Sequence, residues 1–346
     1  MARQKSTEPT VAATEPVTST LVEPTDVLFG AVVDPFPLDH IDQRLIELLT
    51  VDGRLTNRAL ATEVGLTDQT AAWRIRRLID NGVVVIGPQF DWQASGFHRQ
   101  AVAFVRVDAN PIDTGGKVGS VRGVYLVDLT FGHADLVITI LATDDHDMHR
   151  AVSEIGSIPG VASLEINHLA EVLCYSRNYV TLPYTPVPVE ELPAPNIKLD
   201  DIDFGIVRCL IEDGRMSNRE IARQLDVSDQ TIRSRKRQME EAGLIRVGAK
   251  VDPYRSGQLG VSAFIGLRVT GEFDSATRNL STWPNVTLCA TSTGPDNVII
   301  CAFATTDREF HELVTKTLWE LPGVRSVKVA ETAKILWHQP DLVRIV

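Results

Sequence analysis

The chain carries one 50-residue pattern twice, and this duplication constrains its fold more than any other feature. Residues 38–87 align without a gap to residues 199–248, each position shifted by 161, and 18 of the 50 pairs are identical. The identical segments include Asp52-Gly53-Arg54, which matches Asp213-Gly214-Arg215. Two copies at such a long period indicate a duplicated pair of domains and not a solenoid.

The second copy contains a helix-turn-helix pattern. Between Ser217 and Gly243 we predict a short helix, a turn at Asp226-Val227 and a second helix that Ser228 caps, because a serine ahead of a helix accepts a hydrogen bond from an unpaired backbone N–H. The second helix is basic. A basic helix after a short helix and a tight corner is typical of the element that reads DNA. A solvated helix in an ordinary bundle would show the same charge, and the second occurrence of the pattern favours DNA binding.

The first copy has the same organisation. Its apolar spacing predicts helices over roughly 39–50, 56–64 and 67–81, and the third ends at Gly82 before a short strand or wing at 83–86.

The third helix of each copy presents an outward face of hydrogen-bonding side chains. Gln and Arg suit bidentate contact with adenine and guanine edges. At the margin of the buried stripe, Arg74 and Arg235 suit a phosphate contact or a structural ion pair, whereas Lys236 replaces the buried Ile75 and must either extend to solvent or roll the helix. The predicted DNA-binding residues are Gln69, Thr70, Trp73, Arg74, Arg76, Arg77, Gln230, Thr231, Arg233, Ser234, Arg235 and Arg237.

The two outward faces differ in charge. The helix of the second copy carries four cations, whereas that of the first carries three cations and the bulky Trp73. We therefore expect the second copy to be the stronger DNA reader.

Each helical module is followed by the order βαββαβ, which is the ferredoxin-like arrangement. In the first copy we predict strands at Ala101–Asp108, Val124–Phe131, Asp135–Ala142 and Val161–Leu173, and helices at Gly116–Val121 and His146–Ile158. In the second we predict strands at Val261–Thr270, Asn285–Ser292, Val298–Ala304 and Val324–Leu336, and helices at Asp274–Thr282 and Arg308–Glu320. The predicted class is α+β, with two copies of a winged helix-turn-helix domain followed by a ferredoxin-like domain.

The domain organisation follows from these elements. Residues rich in Thr, Pro and Glu at the start predict a disordered tail, and five prolines between the copies predict a semi-extended linker. The predicted boundaries are 1–37 for the tail, 38–90 and 199–251 for the helix-turn-helix domains, 98–180 and 258–338 for the ferredoxin-like domains, and 181–198 for the linker.

Composition excludes some classes of protein. The net charge of −11 argues against broad affinity for nucleic acid, although a local basic patch is compatible with it. Four scattered cysteines without C-x-x-C spacing predict reduced, buried thiols and not a zinc site. No apolar run approaches the ~18 residues of a membrane helix, and the N-terminus lacks a signal peptide. We expect a cytoplasmic protein without a membrane partner.

Taken together, these motifs resemble the Lrp/AsnC, or feast/famine, family of transcription regulators. The matching patterns are L-D-x-x-D at 38–42 and 199–203, D-G-R at 52–54 and 213–215, G-[VL]-[VI] at 82–84 and 243–245, and the corner Gly132-His133-Ala134-Asp135. The resemblance implies helix-turn-helix domains joined to ferredoxin-like domains that dimerise and bind small effectors, usually amino acids. Family members ordinarily hold one such pair, so this chain resembles a fused dimer that would assemble further as a homo-oligomer.

The resemblance places an effector site near the corner between the second and third strands of each ferredoxin-like domain. A carboxylate there suits an ammonium group, and glycine permits close approach of a ligand. A plain tight turn also needs glycine and Asp or Asn, so a purely structural corner is the alternative. The residues carried over are Gly132, His133 and Asp135 in the first copy and Gly294, Asp296 and Asn297 in the second.

Two further functional classes share parts of this pattern. Sirohaem decarboxylases resemble this family, but their H-N-Y-x-R pattern is missing from the middle strands at 125–131 and 287–292. A helix-turn-helix protein that serves only in assembly would show the same repeat without sequence-specific DNA binding. His146 and His149 lack a third ligand at motif spacing, so we predict no metal, no cofactor and no enzyme. We predict a transcription regulator that binds double-stranded DNA in a sequence-specific way, with its binding controlled by an amino acid or a similar metabolite.

Overall fold

A computed structural model describes residues 35–175, 187–188, 199–252, 255–257, 260–339 and 342–343. Most of the predicted tail at 1–37 and nearly all of the predicted linker at 181–198 lie outside these residues. The helices are α1 (His40–Val51), α2 (Asn57–Val64), α3 (Asp68–Asp80), α4 (Pro111–Gly119), α5 (Asp145–Gly156), α6 (Asp201–Glu212), α7 (Asn218–Gln224), α8 (Asp229–Glu241), α9 (Phe273–Leu280) and α10 (Asp307–Glu312).

The strands separate into two sheets. They are β1 (Val84–Asp91), β2 (Arg99–Val107), β3 (Val124–Gly132), β4 (Leu136–Ala142), β5 (Val161–Tyr175), β6 (Val187–Pro188), β7 (Ile245–Val251), β8 (Val261–Val269), β9 (Val286–Thr293), β10 (Val298–Ala304), β11 (Val324–His338) and β12 (Leu342–Val343). The predicted α+β class, with two winged helix-turn-helix modules and two βαββαβ modules, is confirmed.

The two ferredoxin-like modules close into one antiparallel barrel. Module 1 (β2 to β5) and module 2 (β8 to β11) contribute four strands each, in the order β2-β4-β3-β11-β8-β10-β9-β5, and β5 returns to pair with β2. The helices pack on the outside, where Val118, Met148 and Ile155 of module 1 cover strand residues such as Ile138. The barrel interior forms a second apolar layer that includes Phe104 and Phe264. In each module the helices cover the outer face of the sheet, and the other module covers its inner face.

The last strand of each module joins the two modules. The first half of β5 pairs with β2 of its own module, and its second half pairs with β9 of module 2, where His168 lies opposite Thr293. In the same way, the first half of β11 pairs with β8 of its own module and its second half pairs with β3 of module 1, where Ala330 lies opposite Gly132. These two crossings relate the modules by an approximate twofold axis.

The helix-turn-helix modules are also joined. Strands β1 and β7 follow the third helices and pair antiparallel over seven residue pairs, with Gly87 opposite Gly248 at the centre. The predicted short wing at 83–86 is thus the start of a longer strand. Residues of both helix-turn-helix modules share a core in which Leu45, Leu49 and Leu78 of the first module pack with Ala249 and Val251 of the second.

Two predicted helices differ from those observed. The helix predicted at Gly116–Val121 instead begins at Pro111. The side chain of Asn110 caps it by accepting hydrogen bonds from two backbone N–H groups, and proline suits the first helical position because it has no N–H that would be left unpaired there. The helix predicted at Arg308–Glu320 is α-helical only to Glu312 and continues as a π-helical turn, Leu313–Thr317.

Candidate nucleic-acid interface

Helices α3 and α8 are capped at their N-termini in the same way. Thr67 and Ser228 accept a hydrogen bond from the backbone N–H three residues later, at 3.2 and 3.0 Å. In α3, Ala71, Ile75 and Leu78 are buried and form the apolar stripe that packs on the module. In α8, Ile232 and Met239 are buried with Lys236. The inward faces therefore fix how each helix lies on its module.

The outward faces hold most of the predicted DNA-binding residues. On α3 these are Gln69, Thr70, Trp73 and Arg76, and on α8 they are Gln230, Arg233, Ser234 and Arg237, all exposed, with Thr231 half-buried beside its cap. Arg233 pairs with Asp229 at 2.8 Å and Arg237 with Glu241 at 3.5 Å, one helical turn away. Exposed ion pairs of this kind contribute little, so both guanidinium groups can exchange them for a phosphate or a base edge.

Arg74 and Arg235 make structural ion pairs, one of the two roles predicted for them. Arg74 contacts Asp39 at 2.7 Å and Asp42 at 2.9 Å, and Arg235 contacts Asp200 and Asp203 in the equivalent places. Asp39 caps α1 in a reciprocal capping box. Its hydrogen bond from the backbone of Asp42, followed by that from Arg74, lowers the pKa of Asp39 to about 2. These pairs fasten each recognition helix to the start of the module's first helix.

Arg77 does not face solvent as the sequence predicts, because its side chain is half-buried and paired with an acid. Its guanidinium bonds the buried carboxylate of Asp42 at 2.5 Å and lies over the rings of Phe36 and Trp73 at 5.2 and 5.3 Å. Arg77 pairs with Asp42 because a buried carboxylate without a partner of opposite charge would destabilise the fold. Trp73 is held on the surface by this stack and is 57% exposed.

Lys236 neither reaches solvent nor rolls its helix. It is buried, and its Nζ lies 3.4 Å from Asn218 Oδ1 at the start of α7. Burial, followed by the nearby Arg54 of the other module, lowers the pKa of Lys236 to about 8. A cation on α8 therefore lies between the two helix-turn-helix modules and not on the outward face of the helix.

The D-G-R motifs join the two modules. Arg54 donates to the carbonyl of Met216 at 3.1 Å, and Arg215 donates to the carbonyl of Leu55 and to Asn57. A Cβ on Gly214 would collide with the backbone of Ile86 in β1, so only glycine permits this approach. The sequence shows that the D-G-R motif is repeated, but it does not predict that the motif joins the two helix-turn-helix modules. The one sequence feature that pointed to such a role is that the motif lies outside the predicted helices.

The predicted effector corners hold their strands together. Asp135 Oδ2 accepts from the backbone N–H of Val107 and its Oδ1 from Arg106, both at 3.0 Å. Asn297 bonds the N–H and carbonyl of Val269, both at 2.8 Å. These bonds explain the Asp and the Asn without a ligand, which favours the structural alternative at these two positions. Effector binding stays a prediction.

The other corner residues meet across the two modules. The backbone N–H of His133 donates to the Val329 carbonyl, and the backbone N–H of Asp296 donates to Asn167 Oδ1 at 3.0 Å. Gly132 and Gly294 have φ of 101° and 152° and lie against the opposite module's last strand, where a Cβ would collide with backbone. The corners are therefore part of the contact between modules.

Two properties of the described residues bear on other functions. No group of three or more His, Cys, Asp or Glu side chains with a geometry suited to a metal occurs among them. Within the same ranges, none of the helices has the length and apolar character needed to cross a membrane.

Comparison with known proteins identifies the family. A family model for winged helix-turn-helix DNA-binding domains matches residues 38–85 and again 199–246, and the model for the Lrp/AsnC ligand binding domain matches residues 262–335. The HTH-type transcriptional regulator FL11 of Pyrococcus horikoshii is 30% identical over 153 residues, which are 42% of this chain and 97% of FL11. The chain belongs to the Lrp/AsnC family. AldR of Mycobacterium tuberculosis, another HTH-type transcriptional regulator, is 33% identical over 130 residues, 35% of this chain and 71% of AldR.

A solved structure shares the tandem architecture. The siroheme decarboxylase NirDL, in co-complex with an iron-uroporphyrin III analogue, aligns over 88% of this chain and 94% of its own with a TM-score of 0.58. The sequences are only 16% identical, so the likeness is one of fold. Relatives identified by sequence are named as transcription regulators.

Proposed function

We propose that this Lrp/AsnC-family protein is a sequence-specific, double-stranded-DNA-binding transcription regulator that acts in the cytoplasm. The observation that carries the proposal is the pair of capped helices α3 and α8, each exposing Gln and Arg at equivalent positions. The naming of FL11 and AldR as transcriptional regulators supports it.

The proposed reading of DNA follows from the exposed side chains. Gln69 and Gln230 lie in the first turns of their helices, where a recognition helix meets base edges, and Arg76 and Arg237 lie two turns further on. Arginine supplies bidentate contact with guanine or a charge-assisted bond to phosphate. Because β1, β7 and the two D-G-R motifs hold the modules together, the two helices would meet successive major-groove faces at a fixed separation.

Regulation by a small molecule is the second part of the proposal. The match of residues 262–335 to a ligand binding domain supports an amino acid or similar metabolite as effector. The residues proposed for it are those of the two corners, Gly132, His133, Asp135, Gly294, Asp296 and Asn297. A ligand that binds one arrangement of the modules better would shift DNA affinity by a modest coupling energy, typically ~1–3 kcal/mol. We propose that each chain is a pseudo-dimer that associates further.

The decisive experiment is capture of genomic DNA fragments by the full-length protein, with and without added amino acids, followed by gel-shift titration of the enriched sequence. We expect Arg233→Ala with Arg237→Ala to weaken specific binding more than Arg76→Ala, and to reduce the slope of log affinity against log salt by about 1–2.

A matched control removes two cations elsewhere. Arg44 forms an exposed ion pair with Glu47 on α1, Arg150 forms ion pairs with Asp147 and Glu154 on α5, and neither arginine belongs to α3 or α8. Arg44→Ala with Arg150→Ala should leave specific affinity close to that of the wild type. Equal enrichment of all fragments, or equal losses in the two double variants, would contradict the proposal.

A further inference from the structure

The approximate twofold axis of the barrel relates positions that carry different chemistry. A shift of 162 relates Val107 and Asp135 to Val269 and Asn297, which make the same hydrogen bond. For the last strands the shift is 163: Gly132 lies against the carbonyl of Val329 and Gly294 against that of Ile166. These equivalences allow the contact surfaces of the two modules to be compared position by position.

The first difference lies on the axis itself. Glu165 of β5 and Lys328 of β11 are equivalent positions, and they contact each other with Oε2 2.9 Å from Nζ. Glu165 also contacts His133 at 3.1 Å, and Lys328 contacts the buried Asp296 at 3.3 Å. We call these four residues the axis cluster. The Lys328 hydrogen bond, opposed by burial, lowers the pKa of Glu165, which is the shift expected of an ion pair.

The second difference lies at the two crossings. Where β3 meets β11, the buried Asp128 of module 1 accepts a hydrogen bond from Thr332 of module 2 at 3.3 Å. The equivalent positions at the other crossing, where β5 meets β9, are Ala290 and Leu169, which pack in the apolar interior. One crossing is therefore polar and the other apolar, independently of the axis cluster.

These differences exclude a good fit between like modules. Two copies of module 1 would place Glu165 against Glu165 and leave Asp128 buried beside Leu169, where no hydroxyl is available. Two copies of module 2 would place Lys328 against Lys328 and Thr332 beside Ala290. Facing like charges repel, and a buried polar group without its partner is destabilising.

We propose that the contact surface of each ferredoxin-like module accepts the other module type and rejects a second copy of its own type. The duplicated halves are a complementary pair, and the partner of module 1 is module 2, whether it comes from the same chain or from a second chain. When the two modules of one chain pair with each other, further assembly between chains proceeds through other surfaces.

The test uses two full-length chains with different affinity tags, Glu165→Lys and Lys328→Glu. Asp296→Asn is present in every chain, so that no second carboxylate lies beside position 328. Each variant alone has like charges on the axis in every arrangement. In a mixture, module 1 of one chain and module 2 of the other carry opposite charges on the axis in both combinations. Like modules from the two chains would also carry opposite charges there, but two copies of module 1 would still leave Asp128 buried beside Leu169. After unfolding together in urea and refolding, we expect the two tags to purify together at least three-fold more than in a mixture of differently tagged parent chains.

The control mixture carries the same charge changes on exposed helices. Glu154→Lys alters an ion pair with Arg150, and Lys316→Glu alters one with Glu312. This mixture should exchange tags no more than the parent chains do. Equal exchange in the two mixtures would overturn the proposal.

A second measurement holds even if a single variant folds poorly. The single chain that carries both Glu165→Lys and Lys328→Glu restores opposite charges on the axis. Its melting temperature should lie above that of both single variants and within a few degrees of the Asp296→Asn parent. A double variant no more stable than the weaker single variant would show that the charge pair does not select the partner.

Discussion

Among single residues, Asp128 imposes the clearest pH dependence. Burial raises the pKa of Asp128 to about 7 from an ordinary 3.8, and Thr332 only partly opposes the shift. The folded protein therefore retains a proton that the unfolded chain loses near pH 4. Stability should fall as pH rises from about 4 to about 7, by up to roughly 4 kcal/mol.

Asp128→Asn removes this titration while it keeps the shape of the side chain. The variant should match the wild type near pH 4 and exceed it at pH 8, as measured by urea unfolding across that range. The exposed Asp113 of α4 provides the control, and Asp113→Asn should leave the pH profile unchanged. A wild-type stability that rises between pH 4 and pH 7 while that of Asp128→Asn stays flat would contradict this assignment.

Lys236 makes the opposite prediction at alkaline pH. Its pKa is lowered from 10.5 to about 8, so between these values the unfolded chain binds a proton that the folded chain has released. Stability contributed by this position should rise with pH across the window. Lys236→Ile copies the residue of the first module and should be more stable than the wild type at pH 7, with the difference shrinking by pH 10. Thermal melts at both values test this, with Lys334→Ile on the surface of β11 as control.

At the scale of elements, the D-G-R segments fix how the two recognition helices are spaced. Gly214→Ala would force its methyl group against the backbone of Ile86 and separate the modules. We expect a loss of at least ~2 kcal/mol in stability and a weaker, less specific footprint on DNA, since strain of this kind has no flexible neighbour to absorb it. Unfolding and footprinting measure the two effects.

The matched control for this change is Gly116→Ala in α4. A Cβ at Gly116 has no heavy atom within 4 Å among the described neighbours, and alanine favours helix over glycine. That variant should be neutral or slightly more stable, with an unchanged footprint. Identical effects of the two substitutions would show that Gly214 has no special place in the contact.

The elements also show what the sequence could predict. Apolar periodicity and caps located α1, α2 and α3 within one residue or so, because local spacing determines them. The barrel was not predicted, since the pairing of β5 with β9 and of β11 with β3 joins residues more than 100 positions apart. Arg77 was misassigned for the same reason: its partner Asp42 lies 35 positions away. The outward residues of α8 were predictable because one helix contains them all.

At the scale of the whole molecule, the two halves should read different DNA. The outward faces of α3 and α8 share Gln, Thr and one Arg, but Trp73 stands where the second module has Ser234. We therefore expect footprinting to return an operator with two unlike half-sites about one helical turn apart. A strictly palindromic operator would count against this, as would equal protection of a palindrome made from either half-site.

The closed barrel has a consequence for how the protein behaves at low abundance. Both crossings, β5 with β9 and β11 with β3, join parts of one polypeptide. Their association is intramolecular, so its equilibrium depends on an effective local concentration and not on the number of chains in the cell. Dilution, which separates an ordinary dimer, leaves this pairing intact. If the proposed function holds, a few molecules per cell are enough to present α3 and α8 together to one DNA site.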